Sequence, residues 1–420
     1  MTWDVIVVGA GAAGLATATF TRRRRPDASV LLLDGAKKPG AKILVSGGGR
    51  CNVTNTVVTE RDYWGGPPAI VRRVLRALTV ADTVRFFADA GIALHEEHDG
   101  KLFPDSNSAR QVLDALLEQA AAGGVELRTS HRVFSLAKTA DGFRVVTNAG
   151  DLLARRVVLA TGGMSLPKSG SDGAGYVLAG GLGHTIVATT PALAPLVLSA
   201  NGQDVPATHS TWSGVSQPVI LTLRADGSVA TRQRGAMLWT HFGISGPAAL
   251  DLSRHWLRAR LEGRAAEATA NLTPDLPFES LEDFWLDQAR QRPRAMLNTI
   301  LATRIPAAVA EGVLAALGID GSTTLASLTR DDRRRLCHAL TAWPIPIVDS
   351  RGYNFAEATA GGVVLNEIDP STMESRCCPG LYLVGEMLDV DGRLGGFNFQ
   401  WAWSSGRVAG LAVARTGALD

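Results

Sequence analysis

The 420-residue sequence predicts an α/β fold whose central parallel sheet is assembled from both ends of the chain. Three observations predict it. A glycine-rich turn, GAGAAG at residues 9–14, follows the apolar run DVIVV at 4–8. A second apolar run, SVLLLD at 29–34, follows a helical stretch and closes on an acid. Two further runs, RRVVLATGG at 155–163 and GLYLVGE at 380–386, end on small residues, and the last leads into a long helical segment.

The DVIVV run is unbroken by polar residues, as expected of a strand buried on both faces of a parallel sheet. Gly9 then permits a tight turn, Gly11 lets a diphosphate approach the backbone, and Gly14 allows close contact between helix and strand. Together with Ala13 they are assigned to that diphosphate, which would sit on the unpaired N–H groups at the positive end of the helix dipole. LATATFTRRRR at 15–25 reads as that helix, ending in a basic turn with Pro26 beyond it. Asp34 falls twenty residues after Gly14, where a carboxylate accepts from adenosine ribose hydroxyls. Lys37 and Lys38 would suit a 2′-phosphate, but an acid at Asp34 opposes one.

The later elements separate FAD from NAD. Strands ending at Thr161–Gly162 and at Gly385–Glu386 place backbone at the C-terminal edge of the sheet, where ligands bind. The segment MLDVDGRLGGFN at 387–398, which includes Asp391, leads into the helical FQWAWSSGRVAGLAVAR. A helix N-terminus at Gly396, Phe397 and Asn398 would face a ring edge that gains negative charge on reduction, worth roughly 0.3–1 kcal/mol. FAD has such an edge and NAD does not, so FAD is the expected cofactor.

Composition narrows the class. The formal net charge is +2 with 20% charged residues, and only six of the 42 basic residues are lysines. Nothing global marks a nucleic-acid or membrane-surface protein. Residues 251–340 are arginine-rich, including Arg290, Arg292, Arg294 and Arg333–Arg335, yet hold twelve arginines against twelve acids. Phosphate neutralisation wants an excess, so RNA is the disfavoured partner and a small molecule the favoured one. The four cysteines lack C-x-x-C spacing, no metal site is expected, and the adjacent Cys377 and Cys378 are read as free thiols of a reducing cytoplasm. No apolar stretch is long enough to span a bilayer. Oligomeric state leaves no signature.

The motifs VIVVGAGAAGL, KILVSGGGRCNVTN, ATGG, THFGISGP and VGEMLDVDGRLGGFNFQWAWSSG together resemble the BaiN-like flavoproteins, a group also described as aminoacetone oxidase family FAD-binding enzymes or NAD(P)/FAD-dependent oxidoreductases. Two departures stand out: Asp34 where Glu is commoner, and GSDGAGY at 170–176 in place of the usual G-S-T-G-D-G-Y. The resemblance implies a split Rossmann-like FAD-binding domain (1–190 and 341–420) with an inserted β-barrel (191–270) and a small helical domain (271–340). The residues agree independently: 218–240 reads as a hairpin with an Asp226–Gly227 turn, and 281–318 as helices broken by Pro293 and Pro306. The resemblance also implies cofactor contact by Lys42, Ser46, Gly47 and Gly48, whose N–H groups would form an anion-binding nest, and by Val133 toward adenine.

Catalytic residues are less legible. Arg50 would hold flavin or a substrate carbonyl, or pair with an acid. Cys51 would protonate a substrate carbon, or simply pack. Asn52 would cap the next turn. His241 in THFGISGP is a candidate acid or base, and Pro247 a helix start. Ser165 and Lys168 would line the substrate side, or belong to a solvated loop. With one nucleotide-binding start and no metal, nucleophile–base or disulfide redox constellation in the sequence, the chemistry is the flavin's. The expected activity is hydride transfer between flavin and a polarised C=C or C=N bond, with NAD(P)H a candidate transient donor. The alternatives are an amine oxidase producing peroxide, reduction of a uridine in ribosomal RNA, and a non-catalytic flavin-binding module.

Overall fold

The structure, a computed structural model, describes residues 2–199 and 208–415. The chain divides into two compact units: residues up to Thr190 together with those from Ala356 onward, and Pro191–Phe355.

The first unit is built on the expected sheet. Strand β1 (Thr2–Val8) is flanked in parallel by β2 (Val30–Leu33) and by the strand Gly150–Leu159. Leu381–Leu383, from the far end of the chain, adds in parallel at Val157–Leu159. The opposite edge is extended by Glu126–Arg128, and an antiparallel meander of Val133–Thr139 and Gly142–Thr147 joins at the start of the Gly150 strand. Every residue of β2 is buried, which is why its sequence is an unalternating VLLL.

Helix α1 (Ala12–Arg24) and the C-terminal helix (Phe397–Val413) pack side by side over this sheet. Neither has a polar face: α1 is buried continuously from Ala13 to Thr21. The contact is made by small residues. A Cβ on Gly406 would lie 2.7 Å from the Ala13 carbonyl oxygen, and one on Gly410 would lie 2.7 Å from that of Thr17. Thr17 and Thr21 turn their hydroxyls back onto the Ala13 and Thr17 carbonyls of α1 itself. Gly406→Leu is therefore expected to separate the helices and to lower the stability of this unit by about 3 kcal/mol, read from denaturant unfolding, because the crossing has no slack.

The second unit holds a seven-stranded antiparallel sheet with its own core. The order is Trp343–Ile345, Ala266–Asn271, Ser216–Ala225, Ser228–Thr240, Gly243–Ser245, Leu196–Leu198 and Ile347–Ser350. Its two outermost strands are separated in sequence by Pro346 alone, so the sheet curls in a barrel-like way. The Ser216 hairpin turns at Asp226 (φ 51°) and Gly227 (φ 78°), the left-handed pair that a two-residue hairpin needs. Helices Phe278–Gln291, Leu297–Leu301 and Ala307–Leu317 are interrupted where Pro293 and Pro306 fall.

One boundary differs from the sequence expectation. Residues 341–355 were assigned with the C-terminal part of the first domain, yet their two strands pair with Ala266–Asn271 and Leu196–Leu198 of the second unit. The return comes at Ala356. Helices from 271–340 also contribute to the same core as the barrel-like sheet. Among the described residues no helix is long and apolar enough to cross a membrane.

Candidate active site

The chemistry-bearing residues of the first unit collect where β1, β2, Gly150–Leu159 and Leu381–Leu383 end. Gly9 (φ 107°) leaves β1 with its N–H bonded to the Leu33 carbonyl at 2.7 Å. A Cβ on Gly14 would stand 1.8 Å from the Gly9 oxygen, so helix and turn touch through backbone. Gly11 behaves differently: a Cβ there would meet nothing within 4 Å. Gly11 caps α1 without a side-chain bond, and the first turn carries no acid. The first turn thus has no acid of its own and room beside Gly11, while Arg22–Arg24 complement the other end of the dipole. This cradle fits a diphosphate.

Asp34 follows β2 and is held rigidly. Its Oδ2 accepts from the Ala10 N–H at 2.9 Å and its Oδ1 from that of Ala36 at 2.8 Å. Its backbone N–H donates to Arg128, and its carbonyl accepts from His131, two residues before Val133 enters its strand. Burial pushes the Asp34 carboxyl above its ordinary value, with the Ala36 and Ala10 N–H groups opposing the shift. A carboxyl so raised favours the fold only when protonated, and that contribution fades as pH rises through its folded value. Burial leaves this carboxyl under-solvated with lone pairs to spare, which suits a pair of ribose hydroxyls.

The SGGG stretch is a kinked terminus of helix α2 (Ala41–Gly49). Ser46 breaks the helix with ψ 148°, and Gly47, Gly48 and Gly49 follow at φ 55°, 69° and 86°. Successive left-handed residues turn their N–H groups to one side as an anion-binding nest. Gly48 is exposed, with nothing within 4 Å of its Cβ position. Cys51 is itself left-handed, at φ 65°.

The far end of the chain is stitched to this loop. In the amide orientation that satisfies both its ends, Asn52 accepts from the Gly396 N–H at 3.1 Å and donates to the Leu102 and Thr54 carbonyls. Asn52 is therefore a brace between the nest and the C-terminal helix, not the cap of the next turn. Trp403 donates to the Val53 carbonyl at 3.0 Å, and buried Gln400 accepts from Thr54 at 2.7 Å. Gly396 caps the helix with no side-chain bond and no acid in the first turn, repeating the arrangement at Gly11. Asn398 closes a two-way bond with the Gly392 N–H and carbonyl, at 2.8 and 3.0 Å. Asp391 is buried in the short strand before it.

Lys42, Ser165 and Glu386 meet in a polar cluster. The Lys42 ammonium bonds the Ser165 hydroxyl at 2.6 Å and pairs with the Glu386 carboxylate. Glu386 also accepts from Ser165 at 2.7 Å and Thr359 at 2.9 Å. Thr359 accepts the Met164 and Ser165 N–H groups at the end of the Thr161–Gly162 turn. Lys42 and Glu386, separate cofactor contacts in the sequence reading, are thus also each other's partners. The sequence carried no sign of Thr359, since its role depends on a fold contact.

The catalytic candidates diverge. Arg50 pairs with Glu97 at 2.6 Å and lies over the Phe103 ring. Cys51 is fully buried, and burial pushes its thiol up to about 12, which fits packing better than proton exchange. Lys168 is exposed in a short turn. His241 belongs to the second unit, exposed in the turn before Gly243–Ser245. Cys377 is the exposed thiol, while Cys51, Cys337 and Cys378 are buried. A disulfide-exchange reagent at pH 8 is expected to titrate one thiol in the native protein and the remaining three only after unfolding.

Among the described residues, one cluster has metal-ligating chemistry: His184, Glu367 and Cys377, with donor atoms within 4.8 Å of one another. Its donors are spent on each other. Ser375 Oγ accepts from the Cys377 and Cys378 N–H groups, leaving its proton for His184 Nε2 at 2.7 Å. That inventory assigns the imidazole proton to Nδ1, which donates to Glu367 at 2.9 Å.

A protein of Escherichia coli (strain K12) named ribosomal RNA dihydrouridine synthase is 38% identical over 406 residues, 96% of each chain. One of Clostridium scindens named 3-dehydro-bile acid delta(4,6)-reductase is 32% identical over 408 residues, 97% of this chain and 98% of the relative. The open conformation of a flavocytochrome c3 fumarate reductase shares the fold, with TM-score 0.50 at 18% identity over 98% of this chain and 78% of that one. The family profile described as the HI0933-like protein Rossmann domain matches residues 3–412, from the first strand to the end of the last helix. With the match running through both halves of the split sheet, the chain belongs to the HI0933-like family of FAD-binding Rossmann oxidoreductases.

Proposed function

We propose that the protein reduces a carbon–carbon double bond conjugated to a carbonyl group, with a nicotinamide as electron donor. One observation carries this reading: the activities named for two relatives, dihydrouridine synthesis and delta(4,6) reduction, both saturate such a bond. FAD, when bound, would supply the hydride chemistry. The chain's own residues bind and orient. The first-turn N–H groups of α1 would hold the diphosphate, Asp34 the ribose, and the segment at Val133 the adenine. The Gly47–Gly49 nest and the N–H groups at Gly396–Asn398 would face the carbonyl edge of the ring. Lys42 and Glu386, tied by Ser165 and Thr359, would fix the two halves of the sheet at the ring.

The substrate reading favoured here is a uracil of ribosomal RNA, on the 38% identity across 96% of both chains. A small conjugated ketone is the second reading, favoured by the balanced charge of residues 251–340. The test is nucleoside mass spectrometry of ribosomal RNA from cells with and without the protein. The RNA reading expects a nucleoside two hydrogens heavier than uridine to vanish in the deletion strain. An unchanged dihydrouridine content contradicts it and leaves the small ketone.

A further inference from the structure

Arg351 has an unspent guanidinium against two rings. Its central carbon lies 4.5 Å from the Phe242 centroid and 3.9 Å from that of Phe355. No other arginine among the described residues comes within 4.5 Å of two rings. Among the described residues its side chain makes no ion pair and no hydrogen bond. A guanidinium carries five N–H donors in one plane. Stacking against rings engages the faces of a guanidinium and leaves those in-plane donors available.

The fold builds this arrangement. Strand Leu196–Leu198 lies between Gly243–Ser245 and Ile347–Ser350, pairing with both. It therefore brings the turn carrying His241 and Phe242 beside the segment carrying Arg351. Leu198 donates to the Phe242 carbonyl at 3.0 Å, and Arg351 donates its N–H to Pro195 at 2.9 Å. Gly243 must be glycine, since a Cβ would stand 2.3 Å from the Leu196 oxygen. Gly352 (φ 69°) then turns the chain, closed by the Phe355 N–H on the Gly352 carbonyl, and sets Phe355 over Arg351. Phe355 keeps 50% of its surface exposed, and exposed His241 stands edge-on to Phe242 at 5.1 Å.

We infer that the Phe242–Arg351–Phe355 stack, with His241 on its rim, is a recognition site for a flat unsaturated ring bearing carbonyl oxygens. The ring would lie beside the stack, an oxygen taking the in-plane N–H groups of Arg351 and its edge packing against the exposed part of Phe355. A stack that only braced the strands would leave neither a large exposed ring face nor an unspent donor edge. The inference rests on the reading that the substrate is a conjugated carbonyl, and it concerns binding within the second unit alone.

The experiment uses the FAD-loaded full chain and measures binding without turnover. The probes are a short uridine-containing oligoribonucleotide, followed by fluorescence anisotropy, and a steroid dienone, followed by calorimetry. The probe that binds identifies the source of the ring. Arg351→Ala and Arg351→Lys are each expected to weaken it about tenfold, because lysine keeps the charge but loses the planar fork. Phe355→Ala is expected to weaken it by a similar factor. Thermal midpoint and bound-flavin absorbance should not change, and in turnover the loss should appear in KM. Wild-type affinity in Arg351→Lys, or in all three variants, overturns the inference, as does failure of both probes to bind. Arg351-dependent binding without reduction supports this site and sinks the proposed reaction. Reduction with unchanged KM in Arg351→Ala does the reverse.

Discussion

Gly11→Val is expected to leave the fold intact and remove the cofactor. Gly11 sits in extended backbone at φ −86°, which any residue adopts, and a Cβ there meets nothing within 4 Å. The fold therefore has no use for glycine at this position, as expected if a ligand approaches the α1 N–H groups. Charge-assisted hydrogen bonds contribute about 1.5–3 kcal/mol each, so pushing a diphosphate off this turn should weaken FAD binding by at least about a hundredfold. The flavin-free variant should unfold within about 0.5 kcal/mol of the flavin-free parent. Gly14→Val is the contrast. Its Cβ would lie 1.8 Å from the Gly9 oxygen, so fold and cofactor should fail together. Stoichiometric flavin in purified Gly11→Val, with unchanged affinity, would remove the diphosphate from this turn.

Lys42→Met carries the second large effect, on stability. The Lys42 and Glu386 side chains are 25% and 18% exposed, so the pair is mostly withdrawn from water. Removing the cation leaves Glu386 with hydroxyl donors from Ser165 and Thr359 but no counter-charge. Breaking such a pair costs about 3 kcal/mol, since the surviving ion keeps its desolvation penalty. Adding Glu386→Gln should recover most of that loss, because a neutral amide needs no cation. Chemical denaturation of the two single variants and the double variant gives the coupling directly. Additive losses would show that the two side chains are independent and that the two halves of the sheet are not joined there.

The two-ended sheet was legible because its signals are local. An unbroken apolar run, glycines at fixed offsets and an acid twenty residues on each specify backbone without knowledge of the rest of the chain. The Asp226–Gly227 turn was legible for the same reason. What escaped depends on contacts between distant segments. Nothing around Thr359 announces that its hydroxyl serves Glu386 and two N–H groups. Asn52 looked like a cap because the Gly396 N–H it meets lies far along the chain. The return at Ala356 was not legible because nothing local in 341–355 says which sheet that segment joins. Gly406 and Gly410 were different. Their four-residue spacing on one helix face is plain in the sequence, but the partner carbonyls of Ala13 and Thr17 are known only from the fold.

The central claim, two-electron reduction of a carbonyl-conjugated double bond, is tested most directly by an anaerobic half-reaction. The FAD-loaded protein is reduced chemically, so that no natural donor need be known, and then mixed with uridine-containing ribosomal RNA from the deletion strain or with a steroid dienone. The account predicts that one of them restores the oxidised flavin spectrum without oxygen, with the product two hydrogens heavier. A flavin that stays reduced with both, yet is reduced by an amine and returns rapidly in air with peroxide, would contradict the account and make the protein an oxidase.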